Sequence, residues 1–459
     1  MSKLIGDKNF YKRVAKIAVP VAVQMGVTNF VGLLDNIMVG LVGTEQMTGV
    51  SVVNQLMFVF NIAIFGAVSG AGIFGSQFYG AGDKEGVKNV ARFKMIACLL
   101  LSIVAIMFLI IAWNPVVSLF LNDTGDSTIS IPATLEYARQ YLFVMIFGLI
   151  PFALKEAYSS SIKETEQTFI PMVASMAAVV INCSLNAILI FGLLGAPKLG
   201  VVGAAIATVI SRFVELFVVV IFAHIKMRDY FGGLYKTLKV PGKLVKDIII
   251  KGTPLLMNET MWALGISAMN QTYSLRGVNV VTALSVVTTV TNLFNISFIA
   301  MGSAISIMVG MALGAGEFER AKEEATKLTV LSLAVCAVFG GLMALCAKPF
   351  VSIYKIDDNI KALACSLIYV AAVLMLQNSY MNSVYFTLRS GGKTFITFLF
   401  DSVFLWVVMI PVARCVVHFT DWNSVIVYIA CESVGLTKCV LGFVLVKKGV
   451  WINRIVDKS

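Results

Sequence analysis

The chain has 459 residues, of which 58% are hydrophobic and 13% are charged, and its formal net charge is +11. An ordinary soluble domain carries about 25% charged residues, so the composition excludes a soluble enzyme and is typical of a helical membrane protein. No basic stripe with interleaved aromatic residues occurs, so we expect no nucleic-acid partner. The eight cysteines form no CxxC pair, which argues against a metal site or a disulfide framework.

Apolar runs long enough to cross a roughly 30 Å hydrocarbon core recur along nearly the whole chain. Read between polar and glycine-rich breaks, they predict twelve transmembrane helices. In chain order these are residues 14–40, 46–79, 92–114, 135–161, 168–194, 200–225, 247–273, 280–313, 323–347, 361–388, 394–417 and 422–446.

The distribution of Lys and Arg predicts the orientation of these helices. Twelve spans place both termini on one side, and the segments on that side carry 27 Lys and Arg residues against seven in the opposite loops. Because basic residues concentrate in cytoplasmic loops, we expect a bacterial inner-membrane protein with both termini in the cytoplasm. The same asymmetry explains the basic balance without an anionic partner.

The chain repeats itself at an offset of 234 residues. Pro20 matches Pro254 and Asn36 matches Asn270, and the turn GAGD at 80–83 matches GAGE at 314–317. The glycines and acids of these turns are typical of a left-handed helix end followed by a new helix. Agreement through helices and loops alike indicates an internal duplication.

Each half holds six spans, so the two halves share one orientation. The predicted fold is therefore all-α and integral to the membrane, with twelve helices in two six-helix lobes related by a pseudo-two-fold axis along the membrane normal. We expect residues 1–225 to form the first lobe, 226–246 a basic cytoplasmic linker, 247–446 the second lobe and 447–459 a cytoplasmic tail. Parallel bundles of this kind bind substrate near the midplane in secondary transporters.

Asp35 and Glu259 lie inside predicted spans, where an ionisable side chain is a functional candidate because its burial is costly. Asp35 lies near the outer end of the first span and matches Met269 in the repeat, so the shared scaffold does not require it. Glu259 follows Pro254, which bends the seventh span, and it matches Met25. The structural alternatives are a helix cap for Asp35 and a hydrogen bond to a neighbouring helix for Glu259.

Neutral polar residues accompany these acids. Asn182 and Asn186 lie one turn apart on the fifth span, and with Thr208 they could surround Asp35 with oxygen atoms. Hydrogen bonding between helices is the alternative for this set. Two repeat-related pairs are candidates for lining a central substrate cavity, namely Gln24 with Asn258 and Asn61 with Asn295.

Further charged residues lie within the predicted spans. Arg212 and Glu215, three residues apart on one helix, are predicted to neutralise each other. Glu432 and Lys438 are six residues apart, a spacing that does not pair them directly, and the sequence gives no account of either.

The sequence carries no catalytic motif: it contains no HExxH, GxSxG or Walker A pattern. A membrane-embedded enzyme is therefore disfavoured, and with no ATP site an ion gradient is the expected energy source. A receptor or scaffold that transports nothing would leave the buried acids unexplained.

The chain resembles the bacterial MATE (multidrug and toxic compound extrusion) transporters over essentially its whole length. The stretches that carry the resemblance are LLDNIMVG in the first span, GSQFYGAGD after the second, LGVVGAAIAT in the sixth, GTPLLMNETMWALG in the seventh, VGMALGAGE after the eighth and LRSGGKT after the tenth. Their order along a duplicated twelve-helix chain is specific.

The resemblance implies two lobes in a V shape and the export of cationic amphipathic compounds by alternating access in exchange for H⁺ or Na⁺. It implies a proton or cation site of Asp35, Asn182, Asn186 and Thr208, with Na⁺ at Asp35 as the only metal in question. Family members with the fullest site carry a second Asp where this chain has Asn186, so proton coupling suits it at least as well as sodium.

The resemblance also implies a role for Glu259, although the tenth-span Asp that partners it in some members is missing. The second site is then Glu259 alone, or Glu259 completed by another residue such as Asp401. We expect organic cations and the lipid bilayer as partners, a monomer, and no cofactor beyond the coupling ion. A lipid-linked saccharide flippase of the same superfamily is the alternative function.

Overall fold

The computed structural model describes residues 4–120 and 130–456, and the described residues form twelve long helices. They are α1 (Lys8–Gly40), α2 (Thr44–Ala81), α3 (Lys84–Ser118), α4 (Ile131–Lys163), α5 (Phe169–Phe191), α6 (Val201–Lys226), α7 (Gly242–Ser274), α8 (Val278–Ala315), α9 (Phe318–Ser352), α10 (Asp358–Ser390), α11 (Thr394–Phe419) and α12 (Ser424–Lys447). The twelve-helix prediction is confirmed, with each predicted span falling on one helix.

Eleven of these helices are long and apolar enough to cross a membrane by length and composition. The helix outside that set is α7, which coincides with the predicted seventh span. Polar residues in its middle, including Asn258 and Glu259, lower its mean hydropathy. The helix outside the set is thus one of the two that carry a candidate functional acid.

The internal duplication is visible in the helix lengths. Both α1 and α7 have 33 residues, α2 and α8 have 38, and α3 and α9 have 35. The predicted glycine turns are also confirmed, because Gly82 and Gly316 have φ angles of 76° and 80°. Residues other than glycine rarely adopt this left-handed conformation.

The chain folds as two compact units. One comprises Met1–Ala22, Ser76–Asp83 and Asp247–Ser459, and the other comprises Val23–Gly75 and Lys84–Lys246. The first has a core that includes Met308, Leu313, Leu328 and Leu388, and the second has a core that includes Val53, Ile64, Leu142 and Leu149. The lobe limits inferred from the sequence stay a prediction.

Within the first unit, the end of α2 crosses α8 at a pair of repeat-related glycines. A Cβ atom on Gly80 would collide with the backbone of Met311, and one on Gly314 would collide with the backbone of Gln77. Small residues let membrane helices approach closely enough for backbone to touch backbone. The glycines of the two turns therefore set a close crossing as well as ending the helices.

The segment that follows α12 packs into the same unit. Trp451 is 1% exposed, and its carbonyl lies so close to Gly391 that a Cβ there would collide with it. Gln77 hydrogen-bonds this segment to the end of α10. Its amide nitrogen donates to the carbonyls of Ser390 (2.9 Å) and Asn453 (3.2 Å). Its amide oxygen accepts from the backbone N–H of Ile455 (2.9 Å).

Candidate functional site

The four residues predicted to form the first site lie together in the second unit. The Asn186 amide nitrogen is 2.5 Å from Asp35 Oδ1 and 3.2 Å from Asn182 Oδ1. The Asn182 amide nitrogen in turn donates to Thr208 Oγ1 at 3.3 Å. A continuous hydrogen-bonded chain therefore links α1, α5 and α6.

Local helix geometry explains why these side chains meet. Asn182 and Asn186 are one turn apart, which places both on the same face of α5, and both are buried. Thr208 holds its rotamer by donating to the Ala204 carbonyl one turn earlier, at 3.0 Å. The four-residue spacing of Asn182 and Asn186 thus places both amides on the face of α5 that lies towards Asp35.

The site is rich in oxygen atoms and poor in positive charge. In the described part of the chain, no Lys or Arg side chain pairs with Asp35, and the Oδ1 atom of Asn186 is buried without a hydrogen-bond partner. An uncompensated carboxylate beside unused oxygen lone pairs suits a bound proton or a hard cation, which prefers oxygen ligands. Chemically, this arrangement can take up and release one positive charge.

A second group of buried polar residues surrounds Glu259 in the first unit. The Tyr385 hydroxyl of α10 donates to Glu259 Oε1 at 3.1 Å. Tyr385 thus supplies from the tenth span the contact to Glu259 for which the sequence offered no acid. The neighbouring Asn258 amide nitrogen donates to Asp401 Oδ2 at 3.1 Å, so Asp401 reaches this group through Asn258.

The structure accounts for the two charged residues that the sequence left open. Lys438 Nζ lies 2.6 Å from Asp401 Oδ1, which pairs α12 with α11. Glu432 Oε1 accepts a hydrogen bond from the Tyr273 hydroxyl at 3.0 Å. Both residues have partners on other helices, and spacing along one helix could not have identified them.

Arg212 and Glu215 interact electrostatically, but in the described part of the chain they form no direct ion pair with each other. Glu215 Oε1 lies 3.4 Å from Lys155 Nζ and accepts from Ser175 Oγ at 2.5 Å, whereas Arg212 donates to the Gly148 carbonyl at 3.2 Å. Residues three apart on a helix can face different neighbours, and here packing against α4 and α5 decides the partners. Spacing along α6 could not identify Lys155 as a partner, because Lys155 lies on α4.

The four residues proposed to line a substrate cavity differ in their surroundings. Gln24 is buried and donates to Ser175 Oγ at 2.8 Å, and Asn258 is buried among the groups just described. Asn61 and Asn295 are partly exposed, and the Oδ1 atom of Asn61 is buried without a partner. Their role in a cavity stays a prediction.

No group of three or more His, Cys, Asp or Glu side chains is placed to hold a metal ion in the described ranges. The Asp35 chain supplies one carboxylate, two amides and a hydroxyl, and the Glu259 group supplies a carboxylate that accepts from the Tyr385 hydroxyl.

The fold and these buried acids define a polytopic membrane protein of the secondary-transporter class. The sequence pattern of the MatE family matches residues 20–188 and 255–414. The chain belongs to the MatE family.

Curated relatives agree over most of the chain. It is 24% identical over 450 residues to a "Probable multidrug resistance protein NorM" of Thermotoga maritima, covering 97% of this chain and 94% of that protein. It is 26% identical over 384 residues to a "Probable multidrug resistance protein YoeA" of Bacillus subtilis, covering 82% and 80%.

Solved structures share the fold. One described as the "Outward-facing conformation of a multidrug resistance MATE family transporter of the MOP superfamily" has a TM-score of 0.83 at 19% identity, covering 97% of both chains. A MOP superfamily transporter from Pyrococcus furiosus, whose structure is described as having a binding pocket of reverse polarity, has a TM-score of 0.85 at 20% identity, with the same coverage.

Proposed function

We propose that this protein is a secondary active multidrug exporter that moves cationic amphipathic organic compounds out of the cell in exchange for H⁺ or Na⁺. It acts as a monomeric transporter, not an enzyme, with both termini in the cytoplasm. The excess of Lys and Arg in the loops on the terminal side supports this orientation.

The observation that carries the proposal is the state of Asp35. Its carboxylate contacts the Asn186 amide and has no cationic partner among the described residues. A carboxylate that is buried without a counter-charge is costly, so it favours binding a proton or a cation from solution. Release of that ion on one side of the membrane and rebinding on the other would couple its gradient to export.

Glu259 is the second proposed coupling residue. The Tyr385 hydroxyl, a neutral group, donates a hydrogen bond to its Oε1 atom. Ion and organic cation would compete for one or both acids, so that each displaces the other during alternating access. Competition at a shared negative charge makes the exchange obligatory without a covalent step.

The test uses inside-out membrane vesicles, in which export appears as uptake of a fluorescent organic cation. A pH gradient and a Na⁺ gradient are imposed separately on vesicles carrying the wild type, Asp35→Asn or Glu259→Gln. Glu319→Gln is the matched control, because Glu319 is an exposed acid paired with Lys322. We expect Asp35→Asn to abolish gradient-driven uptake and the control to retain it.

Unchanged uptake in both Asp35→Asn and Glu259→Gln would refute the coupling mechanism. Uptake of a lipid-linked saccharide but of no organic cation would favour the flippase alternative.

A further inference from the structure

Helix α11 is wound as a π-helix over Leu399–Val403 and again over Leu405–Met409. Asp401 lies in the first of these segments and Ser402 beside it. Wide turns of this kind are rare and frequently occur at functional sites. The structure therefore places an acid on an unusual backbone inside the membrane-spanning part of the first unit.

Both carboxylate oxygens of Asp401 accept hydrogen bonds from side chains of other helices. Lys438 of α12 bonds its Oδ1 atom at 2.6 Å, and Asn258 of α7 bonds its Oδ2 atom at 3.1 Å. The Lys438 ammonium also lies 4.9 Å from the centre of the Phe400 ring. Lys438 is 6% exposed, so its charge is held within the protein.

Asn258 connects this ion pair to Glu259. Ser402 Oγ lies 2.8 Å from both the Oδ1 atom and the backbone carbonyl oxygen of Asn258. The π-helical segment of α11 therefore contacts both the side chain and the backbone of Asn258. Glu259 is the next residue of α7. Any movement of Asn258 therefore moves the backbone that carries the Glu259 carboxylate.

Three ionisable side chains from the packed helices face Glu259. Tyr385 of α10 donates to it, Arg389 follows one turn later on the same helix, and Asp401 faces it from α11. The charge of Asp401 therefore acts on Glu259, and Lys438 is the group that balances Asp401. Removing either member of the pair changes the net charge beside Glu259 by one, in opposite directions.

A buried ion pair is an expensive way to hold two helices together, because apolar residues of similar volume often do so at lower cost. Its presence next to a carboxylate proposed to carry ions calls for a role that apolar residues could not fill. We propose that Lys438 and Asp401 are positioning residues for Glu259, which fix its turn of α7 through Asn258 and balance the charge beside it. This inference rests on the proposed coupling role of Glu259.

The test compares the pH profiles of organic-cation uptake for Lys438→Met, Asp401→Asn and the double variant. Lys438→Met leaves a second negative charge beside Glu259, so Glu259 holds its proton more tightly and the profile moves to higher pH. Asp401→Asn leaves a positive charge and moves it to lower pH. We expect shifts of about one pH unit each, since a nearby charge moves a carboxyl titration by about 1–3 units, and a return in the double variant.

A merely structural pair would lower uptake in both single variants without opposite shifts, and that result would overturn the inference. Lys438→Arg keeps the charge and is expected to retain the wild-type profile. The thermal unfolding midpoint of purified protein, followed against pH, gives a readout independent of transport. Each variant is measured with and without Glu259→Gln, so that the difference reports Glu259 alone.

The two measurements separate the possible failures. Absence of gradient-driven uptake in the wild type would refute the proposed function, and the unfolding profiles would still decide whether the pair acts on Glu259. Opposite shifts that persist in the presence of Glu259→Gln would show that the pair acts on another group, and the inference would be wrong.

Discussion

Replacing Asn186 by Asp would give the Asp35 site a second carboxylate. Asn186 is fully buried and its amide nitrogen lies 2.5 Å from Asp35 Oδ1, so an oxygen would take the place of a donor. Two carboxylates that relax to about 4 Å repel by about 4 kcal/mol at an effective dielectric constant of about 20. A bound cation relieves this repulsion, so Asn186→Asp should bind Na⁺ up to about 1,000-fold more tightly than the wild type.

The measurement is a Na⁺ titration of the thermal unfolding midpoint of purified protein. Choline replaces Na⁺ at constant ionic strength, and the pH is alkaline so that both carboxylates are ionised. Because a ligand that binds only the folded state raises stability with its concentration, Na⁺ should raise the midpoint of Asn186→Asp far more than that of the wild type.

Two further variants make this result specific. Asn182→Asp is the matched control, since the Asn182 amide contacts Thr208 and Asn186 and not Asp35, and it should gain less. Adding Asp35→Asn to Asn186→Asp should remove the gain. Two outcomes would refute the assignment of these two side chains to one ion site. In the first, Na⁺ leaves the unfolding midpoint of Asn186→Asp unchanged. In the second, the Na⁺-dependent rise in midpoint persists when Asp35→Asn is added.

Three predictions concern the stability of the folded protein, which is measured by thermal unfolding in detergent. Gly314→Ala should destabilise the protein by about 1–3 kcal/mol, because the added Cβ would collide with the backbone of Gln77. Gly341→Ala is the control: open space surrounds Gly341, so this variant should be neutral or more stable by up to about 1 kcal/mol. Equal effects of the two substitutions would contradict the close crossing of α2 and α8. Trp451→Ala should cost about 3–5 kcal/mol, and a midpoint like that of the wild type would show that the segment after α12 is not packed. Lys94→Met should cost about 3–5 kcal/mol by removing the ammonium that lies 2.5 Å from the Glu164 carboxylate, and adding Glu164→Gln should recover most of that loss. A double variant no more stable than Lys94→Met would contradict this account of the pair.

The helices could be predicted from the sequence because each span is a local run of apolar residues between polar breaks. The same holds for the glycine turns, where Gly82 and Gly316 need only a local backbone conformation. The face shared by Asn182 and Asn186 is local too. That these amides meet Asp35, on a helix far away in sequence, was one of two interpretations that the residues left open, and the family resemblance implied it.

The partners of the buried charges could not be predicted in the same way. Arg212 and Glu215 looked paired along one helix, but Glu215 bonds Lys155 of another helix. The ion pair between Lys438 and Asp401 depends on how α11 and α12 pack. It also depends on a π-helical segment of α11, which residue propensities for secondary structure do not predict. A search for opposite charges among all buried positions would have found this pair as one of several options.

The two acids occupy different positions along duplicated helices. In the repeat, Glu259 matches Met25, about ten residues before Asp35, which at 1.5 Å per residue is about 15 Å along the helix axis. That distance is about half of a roughly 30 Å hydrocarbon core. A unit charge that crosses the whole membrane gains about 2.3 kcal/mol per 100 mV, so a displacement of this length along a membrane-spanning helix corresponds to about 1 kcal/mol per 100 mV. Divergence within the duplication thus places the two carboxylates at different turns of repeat-related helices.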